Sequence, residues 1–298
     1  MKRQGQEEFL GVYPAIVTPF TKEGKIDWAG LKDNVEFILD ARVQGLVVGG
    51  TVGEFYTLTL DERKALLESV VRLVSGRAKV VAGTGAVTTE DTVQLTAHAR
   101  EAGAGAALIV TPYYGLPCPD DIVAHYRHVA DTVKMPIILY NIPGRTGVNL
   151  TPELVKRLSS IDEVVGLKDT SMNFIQMCET IRVAGEAITL LVGSDLFLFP
   201  GLAMGAGGAI SPSANVIPSE VMRLFGAVRS KDYETAKAIQ YRIYLLRSVF
   251  GLGTPPMGIK EIMNSMGLCG GHPRQPACEL SVEQKHKVRE VLRELGLL

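Results

Sequence analysis

The sequence has no apolar run approaching the roughly 18–20 residues that span a bilayer, so no membrane-spanning helix is expected. The first eight residues are polar and lack the apolar stretch of a secretory signal, which makes the cytoplasm the expected compartment. Neither sign of charge is in excess. Lys+Arg number 31 against 32 Asp+Glu, a formal net charge of −1. That balance gives no electrostatic reason to expect a nucleic acid or an anionic membrane surface as partner. Metal-ligand patterns are missing as well. Cys118, Cys178, Cys269 and Cys278 are scattered, and none forms a C-x-x-C pair; they read as plain thiols. Of the five histidines only His125 and His128 lie one helical turn apart, and that spacing reads as a solvated helix face. No metal is expected.

What the chain does have is core-forming material in a repeating order. Hydrophobic residues make up 46% and charged residues 21% of 298, close to the soluble globular average. Short apolar runs alternate with amphipathic stretches over roughly the first three quarters of the chain. Strands are expected at 12–18, 45–49, 79–83, 106–111, 135–140, 164–168, 189–193 and 208–211. Leu46-Val47-Val48 and Ile137-Ile138-Leu139 are apolar on consecutive positions, the signature of strands buried on both faces in a parallel sheet. Between them, Thr59 and Glu62 form a capping box ahead of Ala65, Leu66, Val70 and Leu73 at helical spacing. Thr89 opens another helix, and Thr151-Pro152 a third.

Strand and helix alternating about eight times predict an α/β fold with a parallel sheet. No G-x-G-x-x-G follows the first strand, where Thr18-Pro19-Phe20 stands instead. A (β/α)8 TIM barrel is therefore expected rather than an open dinucleotide-binding sheet. After residue 228 the alternation stops, and helices are expected at 233–250, 256–266 and 282–295, the last behind the capping box Ser281–Gln284. The expected organisation is a catalytic barrel over residues 1–228 and a helical extension over 229–298 packed on it.

In such barrels the chemistry sits at the C-terminal ends of the strands. That rule selects Gly49 to Glu54, Tyr113-Tyr114, Tyr140 to Arg145, Lys168-Asp169, Gly193-Ser194-Asp195 and Ile210-Ser211. Lys168 stands out because lysine is almost never fully buried without a partner. It is either a structural ion pair with Asp169 or Glu54, or a nucleophile. A free lysine of pKa ~10.4 is neutral in roughly one molecule in 2,500 at pH 7. A low-dielectric site shifts such a group by up to about 3–5 units, and a neutral amine attacks a ketone to give an imine. Tyr140, at the end of the preceding strand, is a core tyrosine or a general acid and base beside that lysine. Thr51 lies in a glycine-flanked turn whose N–H groups could hold a carboxylate. Arg145 is a solvated charge or a bidentate carboxylate clamp.

Four motifs in this order, Gly50-Thr51-Val52-Gly53-Glu54, Thr111-Pro112-Tyr113-Tyr114, Tyr140-Asn141-Ile142-Pro143 and Gly166-Leu167-Lys168, resemble the dihydrodipicolinate synthase and N-acetylneuraminate lyase superfamily of class I aldolases. The resemblance runs from about Gly11 to Leu295. It implies a lyase in which Lys168 forms a Schiff base with pyruvate and Tyr140 shuttles protons. Thr51 would link Tyr140 to Tyr114, and Tyr114 would enter the neighbouring subunit's site within a homotetramer built as a dimer of dimers. Gly50, Thr51, Val52 and Ile210 would hold the oxo-acid end. No cofactor beyond the covalent imine is implied. The partners are pyruvate and a small aldehyde.

Within the superfamily the motifs point two ways. Tyr140 to Thr146, with Arg145, resembles the branch that condenses pyruvate with a carboxylated aldehyde such as aspartate semialdehyde, on the route to lysine. That branch carries two adjacent threonines where this chain has Thr51-Val52. Glu54-Phe55 and Gly166 to Thr170 resemble the 2-keto-3-deoxygluconate aldolases, for which Ser194, Asp195 and Ser211 would bind acceptor hydroxyls. Two further readings stand beside these: a non-catalytic oxo-acid-binding homologue, and a phosphate-handling barrel. The glycines at 205–208 disfavour the latter because they precede the eighth strand.

Overall fold

The computed structural model describes residues 9–298. Eight strands form one parallel sheet: β1 (Gly11–Pro14), β2 (Gly45–Val48), β3 (Lys79–Gly83), β4 (Ala106–Val110), β5 (Ile137–Asn141), β6 (Val164–Asp169), β7 (Thr189–Val192) and β8 (Gly208–Ser211). Each pairs with its sequence neighbour, and β8 pairs back onto β1. The ring closes between β1 and β2, where Ala15 bridges Val47 and the Ile16 N–H donates to the Val47 carbonyl at 3.0 Å. This is the (β/α)8 barrel that the alternation predicts.

The surrounding helices are α1 (Trp28–Asp40), α2 (Leu60–Val74), α3 (Thr89–Glu101), α4 (Pro119–Val133), the single turn α5 (Pro143–Thr146), α6 (Pro152–Leu158), α7 (Phe174–Ala184), α8 (Leu198–Ala203) and α9 (Pro218–Arg229). Three more follow: α10 (Tyr233–Arg247), α11 (Met257–Ser265) and α12 (Val282–Glu294). Their starts are set locally. Thr59 accepts from the Glu62 N–H at 3.1 Å while Glu62 accepts from the Thr59 N–H at 3.0 Å, so two donors that the first turn would leave unpaired are satisfied. Ser281 and Gln284 repeat the arrangement at α12.

Strand residues divide between two cores. Ile137 and Leu139 face outward into the layer shared with the helices, while Ile138 and Tyr140 face the barrel interior with Tyr13, Val47, Val81, Leu108, Leu191 and Ile210. That division is why the strands read as unbroken apolar runs: both faces of the sheet are dry.

Some boundaries differ from the sequence expectation for identifiable reasons. The first strand ends at Pro14. Beyond Ala15 the chain turns to side-chain partners, the Val17 N–H donating to Asn215 Oδ1 at 3.1 Å and Thr18 Oγ1 to the Gly53 carbonyl at 2.7 Å. An apolar run looks the same in a buried loop as in a strand. The fifth strand begins at Ile137, since Pro136 has no N–H to give a ladder. The expected solvated face at His125 and His128 is half wrong. His128 is exposed, but His125 is buried and shares a hydrogen with Thr89 Oγ1 at 2.9 Å across the α3–α4 contact.

Burial holds the His125 imidazole down, to about 4 against an ordinary 6.5. A histidine kept neutral in the fold binds a proton more readily once unfolded. Its stabilising contribution is therefore complete above about pH 6.5 and is lost as pH falls toward 4, by roughly 3 kcal/mol in all. Denaturant titrations at pH 7 and pH 5 should show a shallower acid loss of stability for His125→Phe than for the wild type. Equal slopes would contradict this account.

Candidate active site

The inward placement of Lys168 depends on an irregularity in β6. Ile137 pairs with Val164 but Ile138 pairs with Gly166, so Val165 is an extra residue in the ladder. Val164 faces the outer core and Val165 the interior. Strict alternation from there would turn residue 168 outward. The extra residue resets the count: Leu167 faces the outer layer, and Lys168 stands in register with Tyr140 of β5 and Leu191 of β7, both inward.

Lys168 is 3% exposed. Its Nζ lies 4.0 Å from the centre of the Tyr140 ring, within cation–π range when the amine is charged. The ion pairs that the sequence allowed for it do not form. Glu54 pairs instead with Lys260 of α11, at 2.5 Å between Nζ and Oε1. Asp169 accepts from Ser171 Oγ and the Ser171 N–H, each at 3.0 Å, and from Asn141 Nδ2 at 3.2 Å. Among the described residues no carboxylate lies within ion-pair distance of Lys168. Burial raises the Asp169 carboxyl, and these hydrogen bonds oppose the rise.

The Tyr140 phenol reaches Thr51 Oγ1 at 3.3 Å. Thr51 sits in the turn after β2, which Gly49 enters with φ +70°. The opposing Gly83 has no room for a side chain, because a Cβ there would lie 2.2 Å from the Gly49 carbonyl oxygen. Glu54 N–H donates to the Thr51 carbonyl at 3.1 Å and Phe55 N–H to the Gly50 carbonyl at 3.4 Å. The N–H groups of Thr51 and Val52 have no backbone acceptor among the described residues. Glu54 itself is held in the left-handed region, φ +54°, at a cost on the order of 1–3 kcal/mol for a side-chain-bearing residue.

A cavity of about 210 Å³ opens above this cluster, lined by Thr51, Phe55, Tyr113, Ile142 and Arg145 among others. Thr51 and Phe55 also line a small recess with Gly50 and Tyr140. Arg145, in α5, is exposed at the cavity rim, Val52 is half-buried, and Ile210 is fully buried with its side chain in the interior core. Two larger cavities, of about 490 and 750 Å³, lie around α11 and the loop after it, away from Lys168.

Tyr114 is not part of this cluster within one chain. It is 93% exposed with φ +71°, and Tyr113 lines the cavity in its place. Asp195 and Ser211 are not open to a ligand either. Asp195 is fully buried and accepts from Ser211 Oγ at 2.6 Å, Ser213 N–H at 2.7 Å and Ser213 Oγ at 2.5 Å. They tie β8 to the turn after β7; Ser194 Oγ alone of the three is left without a partner among the described residues.

Three residues that sequence reasoning passed over also shape the site. Arg63 of α2 is buried, donates to the Gly83 and Gly85 carbonyls at 2.9 and 3.0 Å, and lies 5.1 Å from the Phe55 ring centre. Burial lowers its guanidinium to about 10. Tyr56 lines the cavity beside Arg145. Lys260 carried a legible signal: a lysine between Met257 and Met263 falls on the apolar stripe of an amphipathic helix.

A parallel barrel carrying a buried lysine and a tyrosine at one strand-end layer defines a lyase of the class I aldolase type. The chain belongs to the dihydrodipicolinate synthetase family, whose model matches residues 8–295. It is 39% identical over 291 residues to the 4-hydroxy-tetrahydrodipicolinate synthase of Methanocaldococcus jannaschii, an alignment that covers 97% of this chain and 100% of that protein. The crystal structure of the dihydrodipicolinate synthase from Aquifex aeolicus superposes with a TM-score of 0.93 at 38% identity, covering 97% of this chain and 99% of the other. The chloride-inhibited dihydrodipicolinate synthase of Acinetobacter baumannii, solved in complex with pyruvate, superposes with a TM-score of 0.94 at 32% identity over 97% and 99% of the two chains.

The Asp195 network is structural, and Asp195→Ala leaves two buried serine hydroxyls and one N–H without their acceptor. The variant should lose roughly 2–4 kcal/mol of stability in urea denaturation. A loss below about 0.5 kcal/mol, the range of an ordinary surface change, would refute that role.

Proposed function

We propose that the protein is a 4-hydroxy-tetrahydrodipicolinate synthase: it condenses pyruvate with aspartate semialdehyde through an imine on Lys168. The observation that carries this reading is a buried amine with no carboxylate partner, 4.0 Å from the ring of a tyrosine whose hydroxyl lies 3.3 Å from Thr51. A lysine so placed has little structural purpose, and an imine-forming one needs this setting.

The steps follow from the placement. The Lys168 amine, uncharged, attacks C2 of pyruvate to give a carbinolamine, and loss of water gives the iminium. The Tyr140 hydroxyl, backed by Thr51, supplies the proton that leaves with that water and removes one from the former methyl group. The resulting enamine attacks the aldehyde carbon, whose oxygen takes a proton as the carbon–carbon bond forms. The substrate's own amino group then displaces Lys168 from C2 and closes the ring. The N–H groups at Thr51 and Val52 are suited to the pyruvate carboxylate. They are worth more against an anion than a neutral pair would be, and Gly50 lets the ligand approach the backbone. The backbone at Ile210, whose side chain is buried in the interior core, is suited to the oxo-acid end as well.

Arg145 at the cavity rim is suited to the carboxylate of the second substrate. The exposure of Tyr114, in a backbone conformation that costs energy, supports the reading that a second copy of the chain covers it. There Tyr114 would extend the relay from Thr51, in a homotetramer built from such pairs. Among the described residues no helix is long and apolar enough to cross a membrane, in keeping with a cytoplasmic enzyme.

Val52 favours a second reading, a 2-keto-3-deoxygluconate-type aldolase, because it lacks the hydroxyl of the synthase turn. The loss of one neutral hydrogen bond is worth only about 0.5–1.5 kcal/mol, less than the contribution expected of Arg145. Of Ser194, Asp195 and Ser211, the residues that reading needs for acceptor hydroxyls, the last two are occupied with each other.

A coupled assay with pyruvate against aspartate semialdehyde, glyceraldehyde and glycolaldehyde separates the two. Aspartate semialdehyde should give the highest kcat/KM. Arg145→Ala should lower that value by roughly ten- to a hundredfold, the equivalent of 1.5–3 kcal/mol, and leave the neutral aldehydes little affected. A preference for glyceraldehyde, or an Arg145→Ala enzyme of unchanged rate, would refute the synthase reading.

A further inference from the structure

Among the described residues two lysines are buried, Lys168 and Lys260, and the reaction proposed above uses only the first. Lys260 is 2% exposed on α11, far along the chain from the barrel mouth. Its Nζ crosses to Glu54 Oε1 at 2.5 Å, donates to the His272 carbonyl at 3.2 Å and stands 4.4 Å from the centre of the Phe20 ring. Glu54 is fully buried and belongs to the turn that carries Thr51, three residues before it.

The arrangement carries local costs. Two charges are taken out of water, and burial pushes the Glu54 carboxyl up and the Lys260 amine down, each toward its neutral form, with the partner's charge opposing. Among the described residues Glu54 Oε2 has no hydrogen-bond partner. The Glu54 backbone lies in the left-handed region. A buried pair of this kind is seldom more stabilising than well-packed apolar side chains of equal volume. Its effect has to be sought in geometry.

The geometry is specific. Drawn inward by Lys260, Glu54 holds the sharp bend of the turn, and its N–H is bonded to the Thr51 carbonyl at 3.1 Å. The next residue, Phe55, is bonded to the Gly50 carbonyl at 3.4 Å. Any shift of Glu54 is therefore passed directly to the residue whose hydroxyl meets Tyr140. The same helical region supplies a second strap. Arg274 donates to the Thr57 carbonyl at 2.9 Å, pairs with Glu62 at 2.8 Å and stands 4.3 Å from the Phe20 ring centre. The His272 N–H donates to the Phe20 carbonyl at 2.8 Å, and Gly271, φ +73°, has no room there for a Cβ. The turn is thus clasped from α11 and the loop after it at both its middle and its end.

We infer that Glu54 and Lys260 are a positioning pair: the C-terminal helices reach into the barrel and fix the Thr51 hydroxyl at its distance from Tyr140. The inference rests on the reading of Tyr140 and Thr51 as a proton relay. Neither Glu54 nor Lys260 touches substrate. Their contribution is to make the threonine hydroxyl available, so it disappears when there is no hydroxyl to place.

That dependence gives the test. The apolar replacement Glu54→Leu/Lys260→Met removes both charges together and should keep the melting temperature near that of the wild type. In the full chain, kcat for condensation of pyruvate with aspartate semialdehyde should fall about tenfold, the size expected for losing one well-placed hydrogen bond. Thr51→Val should cost about tenfold in the wild type but less than about twofold in the apolar background, because the two changes disable one arrangement. Should the paired replacement fail to fold, the same comparison runs on Glu54→Gln, which keeps the shape of the side chain. If Thr51→Val costs the same in both backgrounds, or the apolar variant keeps the full rate, the pair is only structural and the inference is overturned. If Thr51→Val is without effect in the wild type, the relay reading itself falls and this inference with it.

Discussion

The register of β5 against β6 governs the rest. One extra residue, Val165, sets Lys168 beside Tyr140 on the inside of the barrel. Were Val165 instead paired with Ile138 in strict register, the lysine would turn toward the helix layer. The two strands are otherwise ordinary parallel partners with apolar faces. The bulge converts a structural sheet into one that presents an amine to its own interior, and bulges near reactive residues are commonly used to re-aim side chains in this way.

The two buried lysines show how environment divides one residue type between two tasks. Lys260 has a carboxylate at 2.5 Å and a carbonyl at 3.2 Å as partners. Lys168 has a tyrosine ring and apolar strand neighbours. Among the described residues no carboxylate lies within ion-pair distance of it. The carboxylates that could have paired with it are committed elsewhere: Glu54 to Lys260, Asp169 to Ser171 and Asn141. The paired lysine meets Glu54 in the turn whose threonine is hydrogen-bonded to Tyr140.

Much of the architecture was legible because it rests on local patterns. Consecutive apolar residues such as Ile137-Ile138-Leu139 are unambiguous once eight of them alternate with capped helices, and Thr59–Glu62 marks its helix in four letters. Lys168, Tyr140, Thr51 and Arg145 could be named from strand-end position and motif. What could not be read depends on contacts between distant segments. His125 looks like a solvated polar residue until α3 is packed against it. Asp195 and Ser211 look like ligand-binding groups until β8 brings Ser211 and Ser213 onto the carboxylate. Glu54 beside the motif threonine looks like a partner for Lys168 until α11 delivers a nearer cation. In each case the decisive partner lies between 16 and 206 positions away, beyond any window over which periodicity is informative. The bulge at Val165 is invisible for another reason. Valine suits a strand on either face, so no residue type announces the slip.

The central claim is that the Lys168 amine captures pyruvate covalently. Incubation of the full chain with pyruvate and borohydride, followed by peptide mass spectrometry, tests it most directly. The account predicts a single modified peptide, that containing Lys168, heavier by pyruvate less one water plus two hydrogens, with Lys260 untouched. An unmodified Lys168, or an adduct at Lys260 or at surface lysines alone, would contradict it.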